Sequence, residues 1–246
     1  MKQIKEHFFI IGGQRCGTTY LMELLNSHPE IEFAKPYRPE PKYFIGLNTF
    51  NYHEYYEKYF DTIKDKKVLG EKSTTYYEKD DALMNIRRFM PNAKIIFVIR
   101  NPVERALSNY FFSKMNNIET RTLSETFLKN KPNPDLQQNI STDPFDYLSR
   151  GDYQKYLQKC FSIFSREQIL ILLAEKLFKN DEIEKLEKFL DISQNYLKIP
   201  CEKVNSANYN ISNMDKEVIL SLKKFYAPKV KELEKFLNMN LAIWEL

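Results

Sequence analysis

A loop rich in glycine and threonine, with one arginine, follows a short apolar run near the start of the chain. Residues 12–19 read GGQRCGTT and come directly after FFII. Glycines let the backbone turn so that successive N–H groups point at an anion, and a helix beginning in the loop adds the positive end of its dipole. Arg15 adds a full charge, and Thr18 and Thr19 add hydroxyl donors. We interpret the segment as an anion-binding loop rather than a strand-to-helix turn without a ligand.

A second junction between a strand and a helix carries an arginine and a serine. Residues 94–99 read KIIFVI and are followed by Arg100. Asn101 can cap the next helix, with Pro102 at its first position. Ser108 then lies about two turns into that helix, on the same face as Arg100. Each residue alone fits an ordinary surface role, but beside the first loop the pair favours a second phosphate, with the guanidinium as a bidentate donor.

The first loop is spaced almost like the P-loop of nucleoside triphosphatases, G-x-x-x-x-G-K-[ST]. Gly12 and Gly17 fit this pattern, but Thr18 stands where the lysine belongs. The strand at 94–99 is followed by Arg100, whereas NTPases have an acidic residue after a neighbouring strand that helps to hold magnesium. A P-loop kinase or NTPase-like phosphotransferase is therefore the lesser alternative, and a nucleotide-binding module without catalysis is a third.

The elements that would position both loops follow from the hydrophobic pattern. Short apolar runs predict buried strands at 7–11, 94–99 and 168–173, with a further short strand at 67–69. Helices are predicted at 19–27, 81–89, 102–114, 153–164, 182–190 and 218–237. The alternation favours an α/β fold, a P-loop-like three-layer domain in which helices flank a central parallel sheet. Ligands of such sheets lie beyond the carboxyl ends of the strands.

Several segments are harder to assign. Residues 30–66 are rich in proline, tyrosine and charge, and we predict irregular structure there. Within them four tyrosines at helical spacing form either an aromatic platform for an acceptor or a face that packs on the core: Tyr52, Tyr55, Tyr56 and Tyr59. Residues 129–147 are polar and proline-containing, which predicts a mobile lid. Pro228 lies inside the last helical pattern and is expected to kink or split it.

Composition limits the class of protein further. The chain has 246 residues, 43% of them hydrophobic, which fits one globular domain over residues 1–246. A net charge of +4 is too small to indicate nucleic-acid binding. Cys16, Cys160 and Cys201 show no metal spacing, so free thiols are expected. No apolar run approaches the ~20 residues of a membrane span, and no signal peptide is evident, so we predict a cytoplasmic protein.

The two anion segments also carry a family resemblance. GGQRCGTT and IRNPVERALSNY resemble the 5′-phosphosulfate and 3′-phosphate motifs of the PAPS-dependent sulfotransferases, nearest to those that sulfate heparan-type sugars and their bacterial relatives. The resemblance implies transfer of a sulfuryl group from 3′-phosphoadenosine 5′-phosphosulfate (PAPS) to a hydroxyl or amine of a carbohydrate or small molecule. It assigns the 5′-phosphosulfate to Gly13, Gln14, Arg15, Cys16, Gly17, Thr18 and Thr19.

The resemblance also assigns the 3′-phosphate to Arg100 and Ser108. Near residues 204–209 many family members have a basic, glycine-containing loop that closes over the nucleotide. This chain has VNSANY there, so only Asn205 and Ser206 are expected to contribute to nucleotide binding.

Sulfuryl transfer needs a base for the acceptor and positive charge around the sulfuryl oxygens and the leaving phosphate. The segment RPEPKYF resembles the family stretch whose glutamate is the base, which assigns that role to Glu40, and the flanking prolines stiffen it. The segment GEKSTTY resembles one whose lysine reaches the sulfuryl group or the acceptor. It assigns Lys72 beside Arg15 and leaves Glu71 either structural or in contact with the acceptor. No metal is expected, because cationic side chains would replace it.

Two histidines are rival candidates for the base. His28 precedes Pro29 at the end of a predicted helix, and we interpret it as a structural cap. His53 lies in the tyrosine-rich stretch, where the sequence indicates no partner for it. The resemblance therefore implies Glu40 as the base of an in-line displacement at sulfur.

Overall fold

A computed structural model describes residues 5–129, 131–135, 142–177, 179–197 and 216–246. The chain divides into two compact units. The first comprises Met1–Arg100 and Gln158–Asn205, and the second comprises Asn101–Leu157 and Ser206–Leu246. Compact units need not fold alone, so a single domain over residues 1–246 stays a prediction.

A parallel sheet forms the centre of the first unit. Its five strands are β1 (Glu6–Gly12), β2 (Ile31–Phe33), β3 (Val68–Lys72), β4 (Lys94–Ile99) and β5 (Ile169–Leu173). They are ordered β2-β3-β1-β4-β5, and every neighbouring pair is parallel. Ile10 of β1 pairs with Lys72 of β3 on one side and Ile96 of β4 on the other. The carboxyl ends of β3, β1 and β4 therefore lie side by side.

Helices connect and flank these strands. In the described part of the chain they are α1 (Thr18–Asn26), α2 (Tyr52–Tyr59), α3 (Asp80–Phe89), α4 (Pro102–Met115), α5 (Leu123–Phe127), α6 (Tyr153–Ile163), α7 (Asn180–Leu190) and α8 (Lys216–Leu237). A short 3₁₀ turn, Tyr76–Glu78, follows β3. In the first unit α1 contacts β1 and β2, and α7 contacts β5. The apolar strands are thereby buried on their faces, as parallel sheets require.

The second unit has its own apolar core between α4 and α8. Val103, Ala106 and Leu107 pack against Val218 and Leu222, and all five side chains are buried. The start of α4 is fixed by its cap, because the side chain of Asn101 accepts hydrogen bonds from the amides of Val103 and Glu104. At the start of α5, Thr122 and Glu125 form a capping box.

The predictions for residues 30–66 and for the last helix need correction. Residues 30–66 contain β2 and α2, which we predicted as irregular. The strand β2 has only three residues, too few to show a periodic pattern, and it pairs with β3 alone. Pro228 lies inside α8, and the helix continues through it, so of the two expected outcomes the split does not occur and the kink stays a prediction. The lid predicted at 129–147 falls partly outside the described residues.

A buried histidine at the start of β1 makes stability depend on pH. Burial lowers the pKa of His7 to about 4, and its ring stacks on Tyr56 at 5.6 Å between centroids. The unfolded chain binds this proton near pH 6.5, whereas the folded chain does so only near pH 4. The stability contributed by the neutral ring is therefore complete above pH 6.5 and is lost as the pH falls through about 4.

We expect a His7→Phe variant to lose less stability than the original chain between pH 7 and pH 4. The difference in unfolding free energy between the two proteins should change by about 3 kcal/mol over this range. Urea unfolding at pH 7, 5.5 and 4 measures it, and carboxylates common to both proteins cancel in the comparison. Parallel pH profiles for the two proteins would contradict the assignment.

Candidate active site

The loop between β1 and α1 has the backbone geometry of an anion site. Arg15 and Gly17 both adopt left-handed conformations, with φ of 64° and 85°. Left-handed residues alternating with others turn successive N–H groups toward one concave side. Gly17 is the N-cap of α1, so the first amides of the helix, at Thr18 and Thr19, have no partner within it. The loop therefore offers N–H donors, hydroxyls and the positive end of a helix dipole to one anion.

Neighbouring strands hold this loop in place. The Gly13 amide donates to the Val98 carbonyl of β4 at 2.7 Å. A Cβ on Gly12 would lie 2.5 Å from the ring of Tyr77, so only glycine allows this close approach. On the same side, Gln14 Nε2 donates to Glu78 Oε1 at 3.0 Å. The anion loop is thus fixed between β4 and the turn that follows β3.

The remaining side chains of the loop differ in their exposure. Arg15 and Thr19 are partly buried, and Thr18 is buried. Cys16 is fully buried; its amide donates to the Gly13 carbonyl at 3.3 Å, and its thiol lies 3.6 Å from the Gln14 carbonyl. Cys16 and Cys160 are free thiols, as predicted. The described contacts of Cys16 shape the loop itself.

The arginine after β4 reaches the same loop. Arg100 is partly buried, and its Nη1 lies 3.4 Å from the Arg15 carbonyl, to which it donates. The Arg100 side chain of the second predicted motif therefore contacts the backbone of the first motif within the first unit. Ser108 is buried in α4 of the second unit. Asn205 and Ser206 lie outside the described residues.

A carboxylate and a lysine meet at the carboxyl end of β3. Lys72 is the last residue of β3, is 6% exposed, and places its Nζ 2.5 Å from Glu40 Oε1. Thr74 donates to Glu40 twice, from its amide at 2.8 Å and from its hydroxyl at 3.0 Å. The Glu40 carboxylate thus has a fixed direction, set by the segment that leaves β3. Nothing in the sequence alone indicated Thr74 as its partner.

The residue before Lys72 has a structural environment. Glu71 is 1% exposed and accepts hydrogen bonds from the hydroxyls of Tyr55, Ser73 and Tyr76. Burial raises the pKa of Glu71, against the opposing effect of these hydroxyls. Of the two roles left open by the sequence, contact with an acceptor does not fit this burial.

The tyrosines of α2 pack inward. Tyr55, Tyr56 and Tyr59 are buried, whereas Tyr52 is partly buried and donates to the Phe89 carbonyl at 2.6 Å. Tyr55 lies among aromatic rings, with centroid distances of 4.9 Å to Tyr43 and 5.4 Å to Tyr59. The interpretation as a packing face therefore fits better than the aromatic platform.

The two histidine rivals have different surroundings. His28 is buried; its Nδ1 accepts from the Glu30 amide at 3.1 Å, so its Nε2 carries the proton and donates to the Ser193 carbonyl at 2.9 Å. Both nitrogens are engaged by the backbone, which agrees with a structural cap. His53 is exposed and lies 3.2 Å from Glu57 on the same helix, a partner that the sequence analysis missed.

Three adjacent strands therefore bring the chemistry together in the first unit. In the order β3-β1-β4, their carboxyl ends carry the Lys72–Glu40 pair, the anion loop and Arg100. This is the position at which open α/β sheets bind ligands. The arrangement defines a P-loop-like α/β protein in which cationic side chains and a carboxylate lie at one edge of the sheet.

Comparison with known proteins identifies the family. The profile described as "Sulfotransferase domain" matches residues 5–238, which is nearly the whole chain. The chain belongs to the sulfotransferase domain family.

Curated relatives agree with this assignment and match over part of their length. The membrane-associated sulfotransferase kil1 of Dictyostelium discoideum is 35% identical over 110 residues, 44% of this chain and 23% of that protein. Human bifunctional heparan sulfate N-deacetylase/N-sulfotransferase 2 is 29% identical over 197 residues, 76% of this chain and 22% of that protein. Human heparan sulfate glucosamine 3-O-sulfotransferase 3B1 is 25% identical over 244 residues, 89% of this chain and 60% of that protein.

A solved structure supports the fold. The sulfotransferase from Alicyclobacillus acidocaldarius superposes with a TM-score of 0.73 at 24% identity, covering 99% of this chain and 100% of that one. The predicted fold class, a P-loop-like α/β domain with a central parallel sheet flanked by helices, is confirmed.

Two further properties concern membranes and metals. Across the described ranges, no helix is both long and apolar enough to cross a membrane. The same ranges contain no group of three or more histidine, cysteine or acidic side chains placed to hold a metal ion. Cytoplasmic localisation and metal independence stay predictions.

Proposed function

We propose that this chain transfers a sulfuryl group from PAPS to a hydroxyl or amine of an acceptor, with Glu40 as the base. The observation that carries the proposal is the convergence of three strand ends, which gathers Arg15, Arg100, Lys72 and Glu40 at one edge of the sheet. A donor with a 5′-phosphosulfate matches a loop of backbone amides and cationic side chains. Membership of the family supports the same reaction.

In this mechanism Glu40 takes the proton from the acceptor while the acceptor oxygen or nitrogen attacks sulfur in line. The bond between sulfur and the bridging oxygen of the 5′-phosphate breaks, and its electron pair leaves with 3′,5′-adenosine bisphosphate. Arg15, Lys72 and the amides of the loop stabilise the charge on the sulfuryl oxygens and the leaving phosphate. Lys72 and Thr74 meanwhile fix the direction of the Glu40 carboxylate.

The two ends of the donor are assigned to different residues. The 5′-phosphosulfate is assigned to the loop at residues 13–19, whose two left-handed residues shape the cradle. The 3′-phosphate is assigned by the sequence motif to Arg100 and Ser108, and Asn205 and Ser206 are proposed at the adenosine end. A site that binds both a 5′-phosphosulfate and a 3′-phosphate would favour PAPS over ATP, because ATP has no 3′-phosphate.

Nucleotide-dependent stabilisation tests the donor class. In the presence of EDTA, 3′,5′-adenosine bisphosphate at about 100 times its dissociation constant should stabilise the protein by about 2.7 kcal/mol. For a chain of this size that corresponds to a rise in Tm of roughly 5 to 10 °C, measured by thermal unfolding. Stabilisation by ATP–magnesium but not by the bisphosphate would instead support the phosphotransferase alternative.

The same experiment needs a second arm to separate an enzyme from a nucleotide-binding module. Labelled PAPS is incubated with desulfated heparan-type oligosaccharides, simple phenols and hydroxylated or amino small molecules. Transfer of label to one of these classes supports the enzyme and identifies its acceptor. Binding of the bisphosphate without transfer in any class would support the inactive module.

A further inference from the structure

A buried carboxylate lies beneath the segment that carries Glu40. Glu71 Oε2 accepts from the Tyr55 hydroxyl at 2.6 Å, and Oε1 accepts from the Ser73 hydroxyl at 2.8 Å and from the Tyr76 hydroxyl. Its described partners are thus three neutral hydroxyls. Burying a carboxylate costs free energy unless hydrogen bonds compensate. Packing alone does not account for a charged group in this position, whereas a role in orienting its partners does.

Two of the three hydroxyls also accept a hydrogen bond from the backbone that follows Glu40. The Ser73 hydroxyl accepts from the Lys42 amide at 3.0 Å, and the Tyr76 hydroxyl accepts from the Phe44 amide at 3.1 Å. A hydroxyl has one hydrogen and two lone pairs. Each hydroxyl donates its hydrogen to Glu71, so its oxygen can only accept a hydrogen bond from the backbone amide. Hydrogen bonds in such a chain strengthen one another in a buried environment.

These contacts reach the residues two and four positions after Glu40. The carboxylate of Glu40 is held separately, by Lys72 and Thr74. One short segment, residues 71–76, therefore holds both the side chain of Glu40 and the backbone that follows it.

We propose that Glu71 is a positioning residue for the base, acting through the Ser73 and Tyr76 hydroxyls on the backbone of residues 42–44. The inference rests on the proposed role of Glu40. Catalysis is sensitive to displacements of about 1 Å in a reacting group, and such displacements cost roughly 100-fold in rate. Loosening this backbone is therefore expected to lower kcat without weakening the binding of the donor.

Three variants and one control test the connection. Ser73→Ala and Tyr76→Phe each remove one hydroxyl that links Glu71 to the backbone, and Glu71→Met removes both carboxylate oxygens at similar volume. Tyr55→Phe is the matched control. The Tyr55 hydroxyl donates to the same carboxylate, but its described hydrogen bond does not link Glu71 to the backbone of residues 42–44. If Glu71→Met does not fold, the first two variants still decide the question.

Hydrogen exchange at single amides is the first measurement and needs no acceptor. Tyr76→Phe should speed exchange of the Phe44 amide by about tenfold or more, and Ser73→Ala that of the Lys42 amide, each mainly at its own position. Tyr55→Phe should leave both rates within about twofold. Unchanged exchange in Ser73→Ala and Tyr76→Phe would overturn the inference, whatever the protein catalyses.

Turnover with the acceptor identified by labelled PAPS is the second measurement. The Ser73→Ala/Tyr76→Phe double variant should lose roughly 10- to 100-fold in kcat, with affinity for 3′,5′-adenosine bisphosphate within about twofold. In a Glu40→Gln background the same pair should change the residual rate by less than about twofold. An equal loss in both backgrounds would show a general structural effect and overturn the inference. Unchanged turnover in Glu40→Gln alone would instead contradict the proposed base.

Discussion

Replacing Glu40 by glutamine is expected to lower turnover by roughly 100- to 10,000-fold. Glutamine can still accept the hydrogen bonds from Thr74, but its amide cannot take a proton from the acceptor. Affinity for 3′,5′-adenosine bisphosphate should stay within about twofold, because the proposed nucleotide contacts lie on the anion loop and Arg100. Single-turnover transfer from labelled PAPS and calorimetric binding of the bisphosphate measure the two effects separately.

The control for this variant is another glutamate of the first unit. Glu32 lies 3.9 Å from Lys35 and 4.0 Å from Lys66, outside the proposed site, and Glu32→Gln should leave both turnover and binding unchanged. Lys72 is buried and loses its charged partner in Glu40→Gln, so Tm should be recorded for both variants. Full turnover in folded Glu40→Gln would remove Glu40 from the mechanism.

The sheet and the anion loop were predictable because their signals are local. The strands β1, β4 and β5 each contain an unbroken apolar run, FFII, IIFVI and ILILL, as strands buried on both faces must. The loop after β1 combines glycine, threonine and arginine at a spacing that few other structures require. The α4 cap was likewise visible as Asn101 followed by Pro102. In each case a few consecutive residues are enough to predict the local structure.

The arrangement around Glu71 was not predictable, because it depends on contacts distant in sequence. β3 extends to Lys72, beyond the apolar residues that predicted a strand at 67–69, because its polar end pairs with β1. Glu71 is also buried against Tyr55 of α2. This helix was not predicted, because its segment is rich in proline, tyrosine and charge. The sequence indicated Lys72 through a resemblance, but only the folded chain shows that Thr74 donates to Glu40 and Tyr76 donates to Glu71. Tertiary partners outweighed local composition in this region.

Replacing Arg100 by alanine is expected to weaken binding of 3′,5′-adenosine bisphosphate by about 2 to 3 kcal/mol, roughly 30- to 150-fold. A guanidinium donates two parallel hydrogen bonds to a phosphate, and alanine donates none. Arg100→Lys should recover part of the loss, because it keeps the charge without the fork. Isothermal titration at fixed salt measures the affinities, and Arg88→Ala on an exposed position of α3 is the control.

The decisive comparison uses a ligand without the 3′-phosphate. If Arg100 binds that phosphate, Arg100→Ala should bind adenosine 5′-phosphosulfate within about twofold of the original chain, because the lost partner is absent from both complexes. Arg100 also donates to the Arg15 carbonyl at 3.4 Å, so it can act by holding the anion loop instead. In that case the variant should weaken both ligands by the same factor, since both place a 5′-phosphosulfate or 5′-phosphate in that loop. The ratio of the two losses therefore distinguishes direct recognition of the 3′-phosphate from support of the loop.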